Sequence, residues 1–280
     1  MLVTGATSGI GRVAALELAR LGADVVIIAR NPERGEAALA EFEGGGSGKA
    51  ELIVCDLAAQ RSIRAAAAEF LDRFDQLHVL INNAGVLHGR RMITGDGLEA
   101  TFAVNHMAYF LLTWLLLPVM EKSAPARIVN VSSAAHKRGH IDFDDLQAEK
   151  RYGQFRAYAQ SKLANIVFTR ELARRVEATG ITVNAAHSGM VRTGFGRDAS
   201  PLVRAIAPLL RPFMASPEQG AQTAIYLATS ARVEGVTGEY FIGQNPARSS
   251  QESRDPEVAR RLWQVSCALA GLDPGAARSQ

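Results

Sequence analysis

Cysteine is scarce in this 280-residue chain, which contains only Cys55 and Cys267. Two cysteines cannot form a disulfide framework in a chain of this size, and no Cys/His spacing matches a metal site. No basic segment followed by an apolar run, as in a secretion signal, opens the sequence. We therefore predict two buried, reduced thiols, no metal ion and a cytoplasmic location.

Charge of one sign and long apolar runs are also lacking. The net charge is only +3, and the basic residues form short clusters rather than blocks. We therefore do not expect nucleic-acid binding. The longest apolar stretch, 107–119, is interrupted by Tyr109, Thr113 and Pro118 and is shorter than a bilayer requires. The sequence thus predicts no membrane span.

Strand and helix patterns alternate along the chain. Strands are predicted at 2–4, 24–29, 50–55, 77–82, 127–131, 181–186 and 239–242. Helices are predicted at 9–21, 32–42, 62–74, 97–121 with a break near Asn105, 155–179, 217–229 and 256–270. Because the strands are apolar on both faces, they indicate a buried parallel sheet between two helix layers. The predicted fold is α/β, a single Rossmann domain over residues 1–280 with a doubly wound parallel sheet of about seven strands.

Two segments, 134–157 and 190–216, lack clear periodicity. Long irregular segments in compact domains are often functional, and these two follow predicted strands. We therefore expect them to lie on the substrate side. The second segment is rich in apolar residues, which fit either a lid over a lipophilic substrate or an amphipathic helix that packs on the core.

A glycine-rich turn separates the first strand from the first helix. Glycines in such a turn let a pyrophosphate approach the backbone, and the helix start offers free N–H groups and a positive dipole end. The turn therefore predicts a dinucleotide site, with contacts from Gly5, Thr7, Ser8, Gly9, Ile10 and Gly11.

The end of the second predicted strand indicates which dinucleotide binds. Folds that bind NAD usually place an acidic residue there for the ribose 2′-hydroxyl. This chain has Arg30 followed by Asn31. An arginine would bind a 2′-phosphate that an acid would repel, and Arg12 could add a second positive charge. The predicted cofactor is NADP(H).

Tyr158 and Lys162 are four residues apart on a predicted helix, so their side chains share one face. A nearby cation stabilises a phenolate, and we expect the pKa of Tyr158 to fall. A phenol whose pKa approaches the working pH can act as a general acid or base. A lone pair of this kind is common by chance.

The pair is one of several motifs that occur in a fixed order. They are the glycine turn, Asp56-Leu57, Asn82-Asn83-Ala84-Gly85, Asn105, Ser132-Ser133 and Tyr158 with Lys162. With them the whole chain resembles the short-chain dehydrogenase/reductase family. The long interval between Ser133 and Tyr158 is similar to that of the branch containing retinol dehydrogenases and WW-domain oxidoreductases.

The resemblance implies four catalytic residues. Ser133 would hydrogen-bond the substrate oxygen, and Tyr158 would transfer the proton. Lys162 would bind the nicotinamide ribose and lower the pKa of Tyr158. Asn105 would hold a water molecule in a proton relay.

The resemblance also implies further cofactor contacts. The Asp56-Leu57 motif would hold the adenine, and Asn82, Ala84 and Gly85 would line the cofactor cleft. Thr193 would contact the nicotinamide amide. One departure is Ser188, which stands where the family usually has a proline before the glycine.

The resulting functional prediction is an enzyme that transfers hydride between NADP(H) and a carbonyl or alcohol. The substrate is expected to be a lipophilic small molecule such as an aldehyde, a ketone or a retinoid-like compound. Two alternatives are a reductase of conjugated C=C bonds, similar to protochlorophyllide reductases, and a non-catalytic regulator that binds NADP(H). Helices around 107–121 and 158–176 could pair in a homodimer.

Overall fold

A single sheet organises the protein. The computed structural model describes residues 1–42, 48–189, 191, 200 and 214–274. Within them, eight strands lie in the order β3-β2-β1-β4-β5-β6-β7-β8. The strands are β1 Leu2–Thr4, β2 Val25–Ala29, β3 Ala50–Val54, β4 Val79–Asn82, β5 Ala126–Ser132, β6 Ile181–His187, β7 Tyr240–Ile242 and β8 Asn245–Pro246. The strand order reverses between β1 and β4, and this switch point opens a crevice beyond the carboxyl ends of the strands.

The predicted doubly wound α/β fold is confirmed, with one correction to the sheet. Strands β1 to β7 are parallel to their neighbours, whereas β8 pairs antiparallel with β7. The chain reverses at Gly243, whose φ of 61° lies in the left-handed region. Because β8 has only two residues, it carries no alternating pattern from which an eighth strand could be predicted.

Helices cover both faces of the sheet. They are α1 Gly9–Arg20, α2 Pro32–Ala40, α3 Gln60–Arg73, α4 Ala100–Phe102, α5 Ala108–Lys122, α6 Gln154–Arg175, α7 Pro217–Thr229 and α8 Pro256–Ala270. Apolar residues of α1, α2 and α7 form the core on one face. Those of α3, α5, α6 and α8 form the core on the other.

The predicted helix 97–121 differs from the observed one in a way that matters for the site. It begins at Ala100, and one π-helical turn, Ala103–Met107, joins α4 to α5. The predicted break near Asn105 is this π turn, so the backbone bulges without leaving the helix. Such bulges are frequent at functional sites.

The joined helix Ala100–Lys122 is 23 residues long, and an 18-residue window within it has a mean hydropathy of 1.5. By length and composition this helix could cross a membrane. The apolar stretch 107–119 considered in the sequence is therefore shorter than the apolar window of this helix. However, 78% of its apolar window is buried inside the fold. Packing in the core accounts for its composition.

The two segments predicted to be irregular are described to different extents. In 134–157, a short 3-10 helix, Ala134–Arg138, and the start of α6 flank irregular chain. Of 190–216, only residues 191, 200 and 214–216 are described. The predicted apolar lid and Thr193 therefore lie outside the described residues.

The terminal helix α8 lies against α5 and α6, the two helices that could have paired between subunits. Trp263 is buried there, with its ring 5.1 Å from that of Phe110 and 5.7 Å from that of Trp114. The guanidinium of Arg175 lies 4.1 Å from the Trp263 ring centroid. The chain's own terminal helix thus covers part of the face that the homodimer prediction assigned to a partner.

Candidate active site

The glycine turn forms one wall of the crevice. Gly5 and Gly9 have φ values of 67° and 56°, which other residues rarely adopt. Gly11 has no room for a side chain, since a Cβ there would lie 2.3 Å from Nδ2 of Asn83. The turn therefore needs its glycines for conformation and close packing. The residues of the turn that line the cleft are Gly5, Thr7, Ser8, Gly9 and Ile10.

The loop after β4 is clamped against this turn. The Thr4 hydroxyl oxygen accepts hydrogen bonds from the N–H groups of Asn83 at 2.9 Å and Ala84 at 3.0 Å. Nδ2 of Asn83 donates to the Thr4 carbonyl at 2.8 Å. Asn83, Ala84 and Gly85 all line the cleft. Asn83, which the sequence analysis did not select, thus joins the two loops that face a bound dinucleotide.

The prediction that Asn82 lines the cleft is wrong. The side chain is fully buried, and its amide donates to Oγ1 of Thr113 at 3.0 Å and to Oδ1 of Asn130 at 2.9 Å. Asn82 is the last residue of β4, so its side chain enters the core, whereas Asn83 follows the strand. In an Asn-Asn pair, sequence alone does not show which residue faces the cleft.

Two arginines stand at the far end of the cleft. Arg30 and Asn31 line it as the sequence predicted, and so does Arg34, which was not predicted. Asn31 caps α2 by accepting from the Arg34 N–H at 2.7 Å, and this cap was the available signal for Arg34. Neither arginine has an ion-pair partner in the part of the chain that the structure describes. The suggested second cation, Arg12, instead pairs with Glu41.

Asp56 and Leu57 follow β3 and line the same end of the cleft. Oδ1 of Asp56 accepts from the Ala58 N–H at 3.0 Å, and the Asp56 N–H donates to the Ser62 hydroxyl at 2.9 Å. These bonds hold the loop rigidly. The predicted contact of these residues with the adenine stays a prediction.

At the opposite end of the cleft the structure brings Ser133, Tyr158 and Lys162 together. Ser133 follows β5, and its hydroxyl is hydrogen-bonded to that of Tyr158. The Lys162 Nζ donates to the Val131 carbonyl at 3.0 Å and lies 5.8 Å from the Tyr158 ring centroid. The three side chains thus meet where β5 ends beside α6.

The pKa of Tyr158 does not fall as the sequence analysis predicted. Burial raises the pKa of Tyr158 to about 12, and the hydrogen bond with Ser133 offsets only part of this effect. Burial also lowers the pKa of Lys162 to about 7. Burying a phenolate outweighs the attraction of an ammonium group that lies over the ring rather than at the hydroxyl. Tyr158 is therefore protonated at neutral pH and can donate a proton.

Two buried side chains, those of Ser132 and His136, support this arrangement. The buried Ser132 hydroxyl donates to the main-chain carbonyl of Lys162 at 2.7 Å. Nδ1 of His136, also buried, lies 2.7 Å from the Ser133 carbonyl, and the Ser250 N–H donates to its Nε2 at 3.2 Å. These partners require a neutral imidazole with its proton on Nδ1. Ser132 therefore lies outside the site, and His136 holds the backbone of Ser133.

Asn105 is fully buried in the π turn. Its Oδ1 accepts from the Val86 N–H at 2.7 Å, and its Nδ2 donates to the Val86 carbonyl and to the Ser161 hydroxyl, both at 3.0 Å. The side chain thus ties the loop after β4 to α6. Its predicted water contact stays a prediction.

Ser188 stands where the family usually has a proline, and it stabilises the turn after β6 by hydrogen bonds. Its N–H and its hydroxyl lie 3.4 Å and 3.3 Å from the Ser132 carbonyl. A proline could form neither bond, because it has no N–H and no hydroxyl. Ser188 and Gly189 also line the cleft. The serine thus connects β6 to the strand end that carries Ser133.

Comparisons with known proteins place these features in a family. A sequence model described as short chain dehydrogenase matches residues 1–202. The chain is 47% identical to human retinol dehydrogenase 14 over 97% of this chain and 86% of that protein. A crystal structure from Mycobacterium paratuberculosis has a TM-score of 0.78 and 33% identity, covering 97% of this chain and 93% of that one. A short chain dehydrogenase of Shigella flexneri complexed with NADP has a TM-score of 0.70 and 25% identity, covering 87% and 96%.

The chain therefore belongs to the short-chain dehydrogenases, which are oxidoreductases with a nicotinamide cofactor. Within that family it lies in the branch of the retinol dehydrogenases. It is an enzyme that acts on the CH–OH group of a small-molecule substrate.

The residues present fit a nicotinamide dinucleotide. A Cβ built on Gly85 would lie 3.5 Å from Oδ1 of Asn105 and 3.7 Å from Nζ of Lys162, without touching anything more closely. A side chain at residue 85 would therefore border Asn105 and Lys162 without a clash. The protein could accommodate an alanine at this position without a clash. The space that its methyl group would fill is therefore available to a ligand.

We expect Gly85→Ala to weaken NADPH binding by about tenfold, since a misplaced methyl group in a close-packed site costs on the order of 1–3 kcal/mol. Thermal stability should change little, because the new Cβ meets only ordinary contacts. Fluorescence titration with NADPH and thermal unfolding measure the two effects. Gly95→Ala is the matched control, because a Cβ there meets nothing within 4 Å. Equal NADPH affinity in both variants would contradict this account of the cleft.

Proposed function

We propose that this enzyme transfers hydride between NADP(H) and a lipophilic carbonyl or alcohol. One observation carries the proposal: a single cleft has Tyr158 and Lys162 at one end and Arg30 and Arg34 at the other. A dinucleotide along this cleft would place its nicotinamide beside the tyrosine and its adenosine 2′-phosphate beside the arginines.

The bound cofactor would supply the hydride, and the protein would orient the substrate and move the proton. Ser133 and Tyr158 would both hydrogen-bond the substrate oxygen. In the reductive direction, the protonated Tyr158 hydroxyl would give its proton to that oxygen as negative charge develops. The bond from Ser133 and the charge of Lys162 would then stabilise the phenolate. In the oxidative direction each step would run in reverse.

The preference for NADP(H) rests on the two arginines. A guanidinium forms paired, charge-assisted hydrogen bonds with phosphate and keeps its charge at all working pH values. Arg30 lies at the end of β2, and Arg34 lies in the first turn of α2, so both approach the same part of the cleft. A ribose without a 2′-phosphate would leave both charges without a bound anion.

The proposed substrate class is supported by the relatives and by the apolar cleft wall near the lysine. Human retinol dehydrogenase 14 acts, by its name, on a lipophilic alcohol. Val86, Val104 and Val131 line the cleft on the side of Lys162. A retinoid-like or long-chain aldehyde fits these features.

The proposed cytoplasmic location rests on Cys55 and Cys267, which are both buried and free.

Replacing Tyr158 by Phe tests the proton donor. We expect turnover to fall by about 10²–10⁴-fold, the usual contribution of general acid catalysis, with NADPH binding retained. NADPH oxidation should be followed with short aldehydes, long-chain aldehydes and retinal, and the products identified. Equal turnover in the wild type and the variant would rule out Tyr158 as the donor. A product reduced at a C=C bond would instead favour the alternative reductase.

Replacing Arg30 by Asp tests the cofactor choice. The ratio of kcat/KM for NADPH to that for NADH should fall by about tenfold to a hundredfold, because a hydrogen bond to a charged group contributes roughly 1.5–3 kcal/mol. Arg20→Asp is a suitable control, since Arg20 is an exposed residue at the end of α1. If the ratio were unchanged in the Arg30 variant, or changed as much in the control, the assignment of NADP(H) would lose its support.

A further inference from the structure

Tyr109 is a fully buried phenol next to the site, and none of the steps above uses it. It lies at the start of α5, one helical turn after Asn105. Its hydroxyl donates to the main-chain carbonyl of Ala84 at 2.8 Å. Ala84 belongs to the loop after β4 that lines the cleft. The phenol thus holds a cofactor-facing loop from the core side.

The ring of Tyr109 also faces the active-site lysine. Nζ of Lys162 lies 5.7 Å from the Tyr109 ring centroid and 5.8 Å from that of Tyr158. These distances are within the range in which a cation is attracted by the face of an aromatic ring. The ammonium group therefore lies within cation–π range of two aromatic rings.

Lys162 has little other support for its charge. It is 3% exposed, its Nζ donates to the Val131 carbonyl, and no carboxylate pairs with it in the described part of the chain. Among the described residues, the titratable groups that face it are Tyr109 from α5 and Tyr158 from its own helix. Strand β5 contributes only the Val131 carbonyl, and the loop after β4 contributes Gly85. Burial raises the pKa values of both tyrosines, so both face the lysine as neutral phenols.

Core packing alone does not require a phenol at position 109. The neighbouring aromatic residues Phe102 and Phe110 fill the core without a polar group, and Phe110 packs against Phe168 and Trp263. In the described part of the chain, Tyr109 alone combines a ring beside Lys162 with a hydroxyl bonded to the loop after β4. The ring therefore contacts the active-site lysine, and the hydroxyl contacts the loop that lines the cofactor cleft.

We propose that Tyr109 is a positioning residue whose ring stabilises the protonated form of Lys162 and whose hydroxyl fixes the Ala84 carbonyl of the cofactor loop. The inference rests on the proposed function, in which Lys162 acts as a cation beside Tyr158. It adds a residue from α5 to the groups that keep the lysine charged.

The ring can be tested by the titration of Lys162 itself, without turnover. The protein is labelled with [ε-¹³C]lysine, the Lys162 signal is identified by its loss in Lys162→Arg, and its shift is followed with pH. Tyr109→Phe keeps the ring and should leave the titration midpoint unchanged. Tyr109→Leu removes the ring and should lower the midpoint by about 0.5–1 pH unit, the effect of an ordinary cation–π interaction.

Phe110→Leu is the matched control for this titration. It removes a buried aromatic ring from the same helix at a position that packs on Trp263, so the midpoint of Lys162 should not change. If Tyr109→Leu does not fold, Tyr109→Met replaces it, because methionine fills irregular core space. The ring assignment is wrong if the Tyr109 variant without a ring titrates like the Phe110 control, or if Tyr109→Phe lowers the midpoint equally.

The hydroxyl can be tested by NADPH binding to Tyr109→Phe. Loss of the bond to Ala84 should weaken binding by about threefold to tenfold, the range expected for one neutral hydrogen bond. Unchanged affinity would overturn this half of the proposal. If the protein reduces no carbonyl but Lys162 titrates as expected in the Tyr109 variants, the proposed function is contradicted. The role of the Tyr109 ring beside Lys162 is then still supported.

Discussion

The central constraint of this structure is the burial of a lysine that has no carboxylate partner among the residues that the structure describes. Lys162 lies where β5 meets α6, and its ammonium group depends on one carbonyl and two aromatic rings. Burying a charge is costly unless such contacts compensate. The elements around Lys162 must therefore be placed accurately. Ser132 helps to achieve this by bonding the main-chain carbonyl of Lys162, which joins the strand to the helix.

The rest of the site follows from where the sheet changes direction. The loops after β1 and β4 meet at the switch point, and Thr4 binds the backbone of the second loop from the first. The loop after β5 brings Ser133 to Tyr158, and the π turn brings Asn105 to the loop after β4. Each contact joins segments that are far apart in sequence. The fold thus gathers short motifs, each weak by itself, into one cleft.

Sequence analysis predicted most of the fold because local signals were strong. Pro32 and Pro256 occupy the first turns of α2 and α8, each after a capping residue, and the predicted starts are correct. The glycine turn likewise identified the crevice. Asn82 was assigned wrongly because the end of β4 decides which of two asparagines faces the cleft. Arg34 was missed although Asn31 and Pro32 place it in the first turn of α2, because only the residues directly after β2 were considered.

The expected electrostatics failed for a different reason. Four-residue spacing showed that Tyr158 and Lys162 share a helix face, but it could not show how deeply they are buried. Burial moves the pKa values of the phenol and the ammonium group in opposite directions, and both effects exceed the attraction between them. The contacts of buried residues from other elements, such as Tyr109 and His136, could not be predicted either, because only the folded chain brings these residues to the site.

The central claim is that this cleft transfers hydride between NADPH and a carbonyl carbon. The most direct measurement uses NADPH with deuterium at both C4 positions of the nicotinamide, together with retinal or a long-chain aldehyde, followed by mass spectrometry and NMR of the product. The account predicts one deuterium on the carbinol carbon of the alcohol. A product without deuterium, or with deuterium at a carbon of a former double bond, would contradict it.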